Sequence, residues 1–166
     1  MIKPQTRADL ALFVPDNGVM IELGVAAGKF AVELIKANPR AKYVGVDRWS
    51  DHHDEAEWKI AKDSINNLTK KWCLQRKTFA AAVNYYRDEY ADLIYIDGYA
   101  HTGQDNGQTL DDWYPKLKSG GIFAGHDYCK EYHQTMRVVD AFVAKHGLTL
   151  NIINDSDCPS WWVVKK

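Results

Sequence analysis

No apolar run in this chain approaches the ~20 residues of a membrane span, and the N-terminus carries no signal-peptide h-region. Cysteine is scarce. Cys73, Cys129 and Cys158 are far apart, odd in number and without a C-x-x-C pair, so they read as buried or incidental thiols of a reducing compartment. An excess of one charge is missing too: the net charge is −1 and no basic block occurs. That leaves out the electrostatic footprint that nucleic-acid binding usually needs. No internal repeat, low-complexity tract or linker interrupts the chain. Together these absences point to a cytoplasmic protein with neither a membrane nor a nucleic-acid partner. The 166 residues are 46% hydrophobic and 26% charged, enough for one globular domain over residues 1–166 with a sizeable core.

Apolar periodicity supplies the elements. Strands are expected at residues 19–23, 43–47, 72–79, 92–97, 122–127, 148–153 and 160–164. A short helix is expected at 6–13, and longer ones run from about 28 to the Asn38-Pro39 stop and from Ser50-Asp51 onward. In the last of these, Asp51, Asp54 and Glu55 crowd the first turn, and Trp58, Ala61, Ile65, Leu68 and Trp72 follow at helical spacing. Further helices are expected at 80–89, 104–117 and 131–146, the last stopped by Gly147. Strands alternating with helices imply βαβ units and a mostly parallel sheet, and the two final strands suggest a closing antiparallel hairpin.

The stretch from Val19 to Gly28 runs from an apolar strand through Glu22 and Gly24 into a second glycine and a helix. Such a turn exposes unpaired N–H groups at the helix start. A dinucleotide fingerprint would need glycine where Ala26 stands. A phosphate-binding loop would need four residues between its glycines and a hydroxyl where Phe30 follows Lys29. An ordinary tight strand-to-helix turn stays open as the plain reading. Glu22, Asp47, Asp97 and Asp127 each stand at or beside a strand's carboxyl end, where open α/β sheets bind ligands. Asp47, roughly 20 residues beyond the glycine turn, is placed to accept both ribose hydroxyls of an adenosine ligand. Arg48 and Trp49 flank the adenine in that reading, although Trp49 equally suits the core.

The E-x-G-x-x-x-G motif and the closing hairpin resemble the class I S-adenosylmethionine-dependent methyltransferases. Asp92 to Gly98, His101, the run from Leu117 to Ile122, and His126-Asp127-Tyr128 resemble the branch that includes metal-dependent O-methyltransferases. The likeness spans about residues 19–128. It implies a Rossmann-like seven-stranded α/β sheet of order 3-2-1-4-5-7-6, strand seven antiparallel, with helices on both faces. It also implies S-adenosylmethionine as cofactor. Glu22, Gly24 and Gly28 would hold its methionine end and Asp47 and Arg48 its adenosine, with Thr78 and Phe79 on the adenine side. Asp97 would touch the cofactor and, with Asp127, bind Mg²⁺, since the strands they end are neighbours ~4.8 Å apart. The family commonly places an amide ligand where Tyr128 stands.

His101, four residues beyond Asp97, is the expected general base, with His126 the other candidate. His126 is expected to face away, because adjacent strand residues point to opposite sides. His52 and His53 are expected to face solvent. No Asn/Asp-Pro-Pro-aromatic tetrad follows strand four, which argues against methylating the exocyclic amine of a base. The expected activity is methyl transfer to a hydroxyl of a small-molecule acceptor with metal assistance. A metal-independent N/O-methyltransferase and a non-catalytic adenosine-ligand-binding module are the alternatives, and a homodimer could complete a cleft that has little lid of its own.

Overall fold

The computed structural model describes residues 3–50 and 53–166. Seven strands, β1 (Val19–Leu23), β2 (Lys42–Asp47), β3 (Trp72–Arg76), β4 (Ala91–Ile96), β5 (Leu117–Gly125), β6 (Asn151–Ile153) and β7 (Ser160–Val164), form one sheet in the order β3-β2-β1-β4-β5-β7-β6. The first five pair in parallel, and β7 runs antiparallel to both β5 and β6. This is the order that the methyltransferase resemblance implies, with the closing antiparallel hairpin expected from the strand pattern. Among the described residues no helix is long and apolar enough to cross a membrane.

Both faces of the sheet are covered, which is why its central strands β1 and β4 are apolar at consecutive positions rather than alternately, Glu22 and Asp92 excepted. In β4, Leu93 and Tyr95 face one layer and Ile94 and Ile96 the other. The first layer holds a 3₁₀ helix (Arg7–Phe13), α1 (Lys29–Ala37) and α2 (Glu55–Leu68), packed through Leu10, Phe30, Leu34, Ala61 and Ile65. The second holds the one-turn helix α3 (Phe79–Ala82), α4 (Gln108–Trp113) and α5 (His133–His146), packed through Leu110, Trp113, Val139 and Phe142.

Three local expectations are corrected. Helix α2 begins at Glu55, with Asp54 as its cap accepting from the N–H groups of Ala56 and Glu57 at 2.9 and 3.0 Å; Asp51 and His52 lie outside the described residues. The helix expected at 104–117 is broken. Gly103, Gln104, Asp105, Asn106 and Gly107 all have φ between 50° and 90°, a left-handed turn that costs ~1–2 kcal/mol for each residue with a Cβ. Packing against α5 holds it in place: Gln104 is 1% exposed and its amide donates to Thr135 Oγ1 at 3.2 Å. Periodicity misses this because it reads side-chain spacing and not the sign of φ.

The third correction concerns cysteine. Cys129 and Cys158 form a disulfide with Cα atoms 5.5 Å apart, and Cys73 is exposed. The two partners are 29 residues apart in sequence, and the β6–β7 loop folding back over the end of β5 brings them together. The reading of these thiols as incidental markers of a reducing compartment therefore lapses.

Gly28 caps α1 at φ +78°, and a Cβ there would lie 2.9 Å from the Cα and Cβ of Ala61 in α2. Gly28→Ala should therefore destabilise the protein by ~1–3 kcal/mol, read as a lower denaturant midpoint at unchanged slope. An unchanged midpoint would show that the two helices part without cost.

Candidate active site

The β1–α1 turn is built around a carboxylate. Asp47 Oδ2 accepts from the N–H groups of Val25 and Ala26, each at 2.9 Å, and Oδ1 accepts from Trp49 N–H at 3.1 Å. Trp49 returns the bond, its indole N–H donating to the Ala26 carbonyl at 2.9 Å. With these partners Ala26 is held at φ 48°, a conformation uncommon for a residue with a Cβ. Sequence reasoning gave the whole Asp47 carboxylate to a ligand. Three of its roughly four acceptor positions are instead committed to backbone, leaving one, on Oδ1.

Two cavities open at the carboxyl ends of the strands. One, of about 170 Å³, is lined by Asp47, Arg48, Trp49, Phe79 and Tyr99 among others. The second, of about 350 Å³, is lined by Arg7, Glu22, Ala26, Lys29 and Phe30 among others. Gly24, His53 and Asp97 line both. Gly28 and Thr78 line neither. Gly28 packs on α2, and Thr78 caps α3 by accepting from Ala81 N–H at 3.1 Å.

Glu22 is 1% exposed and accepts the Tyr43 hydroxyl at 2.5 Å. Burial raises its carboxyl well above the usual range, against the Tyr43 hydrogen bond and with added repulsion from Asp97. Arg7 was not singled out from the sequence, where nothing distinguishes it from other cations of the N-terminal segment. Its guanidinium lies 4.6 Å from the Phe30 ring centroid, and its backbone N–H donates to Asp155 of the β6–β7 loop at 2.7 Å.

The ends of β4 and β5 bring together Asp97, His126 and Asp127. Ligand atoms of the three all lie within 4.8 Å of one another. His126 Nδ1 is 2.9 Å from Asp127 Oδ1 and 3.8 Å from Asp97 Oδ1. The expectation that His126 faces away is corrected: β5 ends at Gly125, and Asp127 turns to φ 63°, so strand alternation no longer separates the neighbours. Tyr128 donates its hydroxyl to Asp140 at 2.7 Å, away from the cluster. Burial raises Asp97, Asp127 repels it further, and His126 only partly opposes. Burial alone would lower His126, but its hydrogen bond to Asp127 and the charge of Asp97 prevail and raise it.

The remaining imidazoles separate clearly. His101 is exposed on a 3₁₀ turn (Ala100–Thr102), edge-on to Tyr132 at 5.0 Å, and lines neither cavity. His53, expected to face solvent, lines both and pairs with Glu57 at 2.6 Å.

Two substitutions test this construction. Asp47→Ala strands three backbone donors and should cost on the order of 2–4 kcal/mol of stability, whereas a purely ligand-facing carboxylate would leave the melting temperature unchanged. Glu22→Gln should do the reverse. A carboxyl whose folded pKa is raised favours folding at low pH, and that contribution is lost as pH rises through the raised value. Removing the ionisable group should therefore raise the melting temperature at neutral pH, with a gain that fades in acid. A gain that grows in acid would contradict the assignment.

Residues 21–128 match the family model described as "Methyltransferase domain". The chain is similar to the tRNA (guanine-N(7)-)-methyltransferase of Enterococcus faecalis (strain ATCC 700802 / V583), with 31% identity over 85 residues covering 51% of this chain and 38% of that protein. It thus spans well under half the length of that curated relative. The rRNA methylase of Streptococcus thermophilus shares the fold at TM-score 0.72 and 15% identity, covering 99% of this chain and 98% of that one. So does the SAM-dependent O-methyltransferase of Thermotoga maritima, at TM-score 0.68 and 14% identity, covering 99% and 66%. Relatives named for RNA overturn the expectation that excluded a nucleic-acid partner; a net charge near zero is a sum over the chain and says nothing about its local distribution. From the matched family model and this sheet, the chain belongs to the class I S-adenosylmethionine-dependent methyltransferases.

Proposed function

We propose that this methyltransferase alkylates an oxygen acceptor brought to the Asp97–His126–Asp127 cluster, with a divalent cation held by those three residues. The carrying observation is that Asp97 belongs to both places: it lines both cavities and supplies one of three donors within 4.8 Å. Asp47, Arg48 and Phe79 hold the adenosine half of S-adenosylmethionine, and Glu22 with the turn at Gly24 holds its amino-acid half.

The residues fit both groups. The turn at Gly24 lacks a Cβ where one would fill the space between β1 and β4, and Asp47 keeps one acceptor position for a ribose hydroxyl. Two carboxylates and an imidazole suit Mn²⁺ or Zn²⁺ better than Mg²⁺, which prefers oxygen ligands and retained water. His126 supplies the third donor that Tyr128 does not. A cation bound here would act as a Lewis acid, lowering the acceptor's pKa. Asp97 and Asp127 would compensate its charge, and the half-buried position of the cluster keeps water from screening it.

A second reading, in which the acceptor is an RNA nucleotide, is favoured by the tRNA methyltransferase relatives. One assay addresses both. The protein is incubated with methyl-labelled S-adenosylmethionine and either bulk tRNA or catechol, with and without chelator. Chelation should abolish transfer and Mn²⁺ should restore it, and Asp127→Asn should lower the rate by at least ~10²-fold. Full rate in chelator would remove the cation and leave metal-independent transfer. Label recovered in nuclease-sensitive material would establish the RNA acceptor.

A further inference from the structure

His53 and Glu57 line the second cavity, with side chains 45% and 35% exposed. Among the described residues, Gly24, His53 and Asp97 alone line both cavities. A ligand with its adenosine in one cavity and its amino-acid end in the other has its sulfur between the two, beside the residues that line both. Gly24 offers no side chain and Asp97 is shared with the cation cluster. His53 is thus the one imidazole of the described residues that reaches this seam.

Its geometry is that of an oriented base. His53 Nδ1 lies 2.6 Å from Glu57 Oε2. With Glu57 as the accepting carboxylate, a neutral His53 carries its proton on Nδ1 and its lone pair on Nε2. The Asp54 cap fixes the backbone between them, since its Oδ1 accepts from both Ala56 and Glu57. A nucleophile or base held by a third group in this way is the recurring arrangement for proton abstraction. An ordinary helix-surface ion pair would have the same spacing, but both members of this one line the cavity.

Resting on the methyl-transfer reading above, we infer that His53, oriented by Glu57, is the general base that takes the acceptor's proton. As the acceptor oxygen forms its bond to the methyl carbon, the carbon–sulfur bond breaks and its electron pair stays on sulfur. The hydroxyl proton passes to His53 Nε2. The site's charge is conserved, because the positive charge lost from sulfur reappears on an imidazolium already paired with Glu57. The other charged groups facing this seam are Asp97 from β4, Glu22 from β1, Asp47 and Arg48 after β2, Lys29 of α1 and Arg7 of the N-terminal helix.

The test begins without an acceptor. Long-range ¹H–¹⁵N spectra of the full chain should show His53 as the Nδ1–H tautomer. Adding S-adenosylhomocysteine should shift its Nε2 resonance while His133 and His146 stay in place, and Glu57→Ala should move the tautomer toward Nε2–H. An Nε2–H tautomer in the wild type, or no response to S-adenosylhomocysteine, overturns the assignment. With whichever of tRNA or catechol accepts label, His53→Ala should lower kcat by ~10²–10⁴-fold, leave the S-adenosylhomocysteine Kd unchanged and regain rate when imidazole is added. Loss of affinity at unchanged kcat would make His53 a cofactor contact instead, and the same kcat loss in His101→Ala alone would move the base there. These outcomes are independent of the cation: a chelator-resistant rate overturns the metal reading and leaves the His53 spectra as they are.

Discussion

The approach of the β1–α1 turn to the end of β4 is the constraint on which the rest of the cleft depends. A Cβ on Gly24 would lie 1.8 Å from the Asp97 carbonyl oxygen, closer than any non-bonded pair can come, and Gly24 sits at φ +96°, where side chains are strained. The same ends are tied by backbone bonds. Gly24 N–H donates to Val46, Asp97 N–H to Leu23 and His126 N–H to Ile96. The end of each strand is thus set by its neighbour, from β2 across β1 and β4 to β5. Displacing one end displaces the side chains that follow: Asp47, Asp97 and the His126-Asp127 pair.

From this follows a division of labour among the carboxylates. Asp47 is spent largely on the turn, with Trp49 as its brace. Glu22 is buried against Tyr43, at a cost in stability once it ionises. Asp97 and Asp127 are left with an imidazole between them. A protein selected for stability alone would not bury Glu22 as a charge; its place at the wall of a cavity is what such a cost accompanies at functional sites. Two segments distant in sequence approach the same region. Arg7 reaches in from the N-terminal helix, and the β6–β7 loop carries Asp155 to Arg7 and Ser156 to within 3.3 Å of His126. The Cys129–Cys158 disulfide ties that loop to the segment just after Asp127.

The sheet was legible because its information is local: apolar runs, a glycine turn, and an acid at each strand's end survive in a linear reading. The reversed last strand was legible from two consecutive strand patterns without a helix between them. What escaped depended on backbone sign or on distant pairing. Asp127 at φ 63° cancelled the alternation argument that turned His126 away. The left-handed turn at 103–106 interrupted a helix whose side-chain spacing was intact. Cys129 and Cys158 met only through the return of the β6–β7 loop. His53 is partly exposed, as its solvent-facing reading has it, and that it also lines the cavities was hinted at only by Glu57 four residues on. Arg7 left no hint. The exclusion of nucleic acid failed for another reason, since it rested on a whole-chain charge.

In the proposed site, one cleft at the strand ends sets both the cofactor's sulfur and a cation against Asp97. The most direct measurement is a crystal structure with S-adenosylhomocysteine and Mn²⁺, with anomalous data collected for both manganese and sulfur. The expected result is the ligand's sulfur at the seam of Gly24, His53 and Asp97, and a manganese peak bounded by Asp97, His126 and Asp127. A sulfur position outside that seam, or manganese absent from those three residues while the ligand is bound, would contradict it.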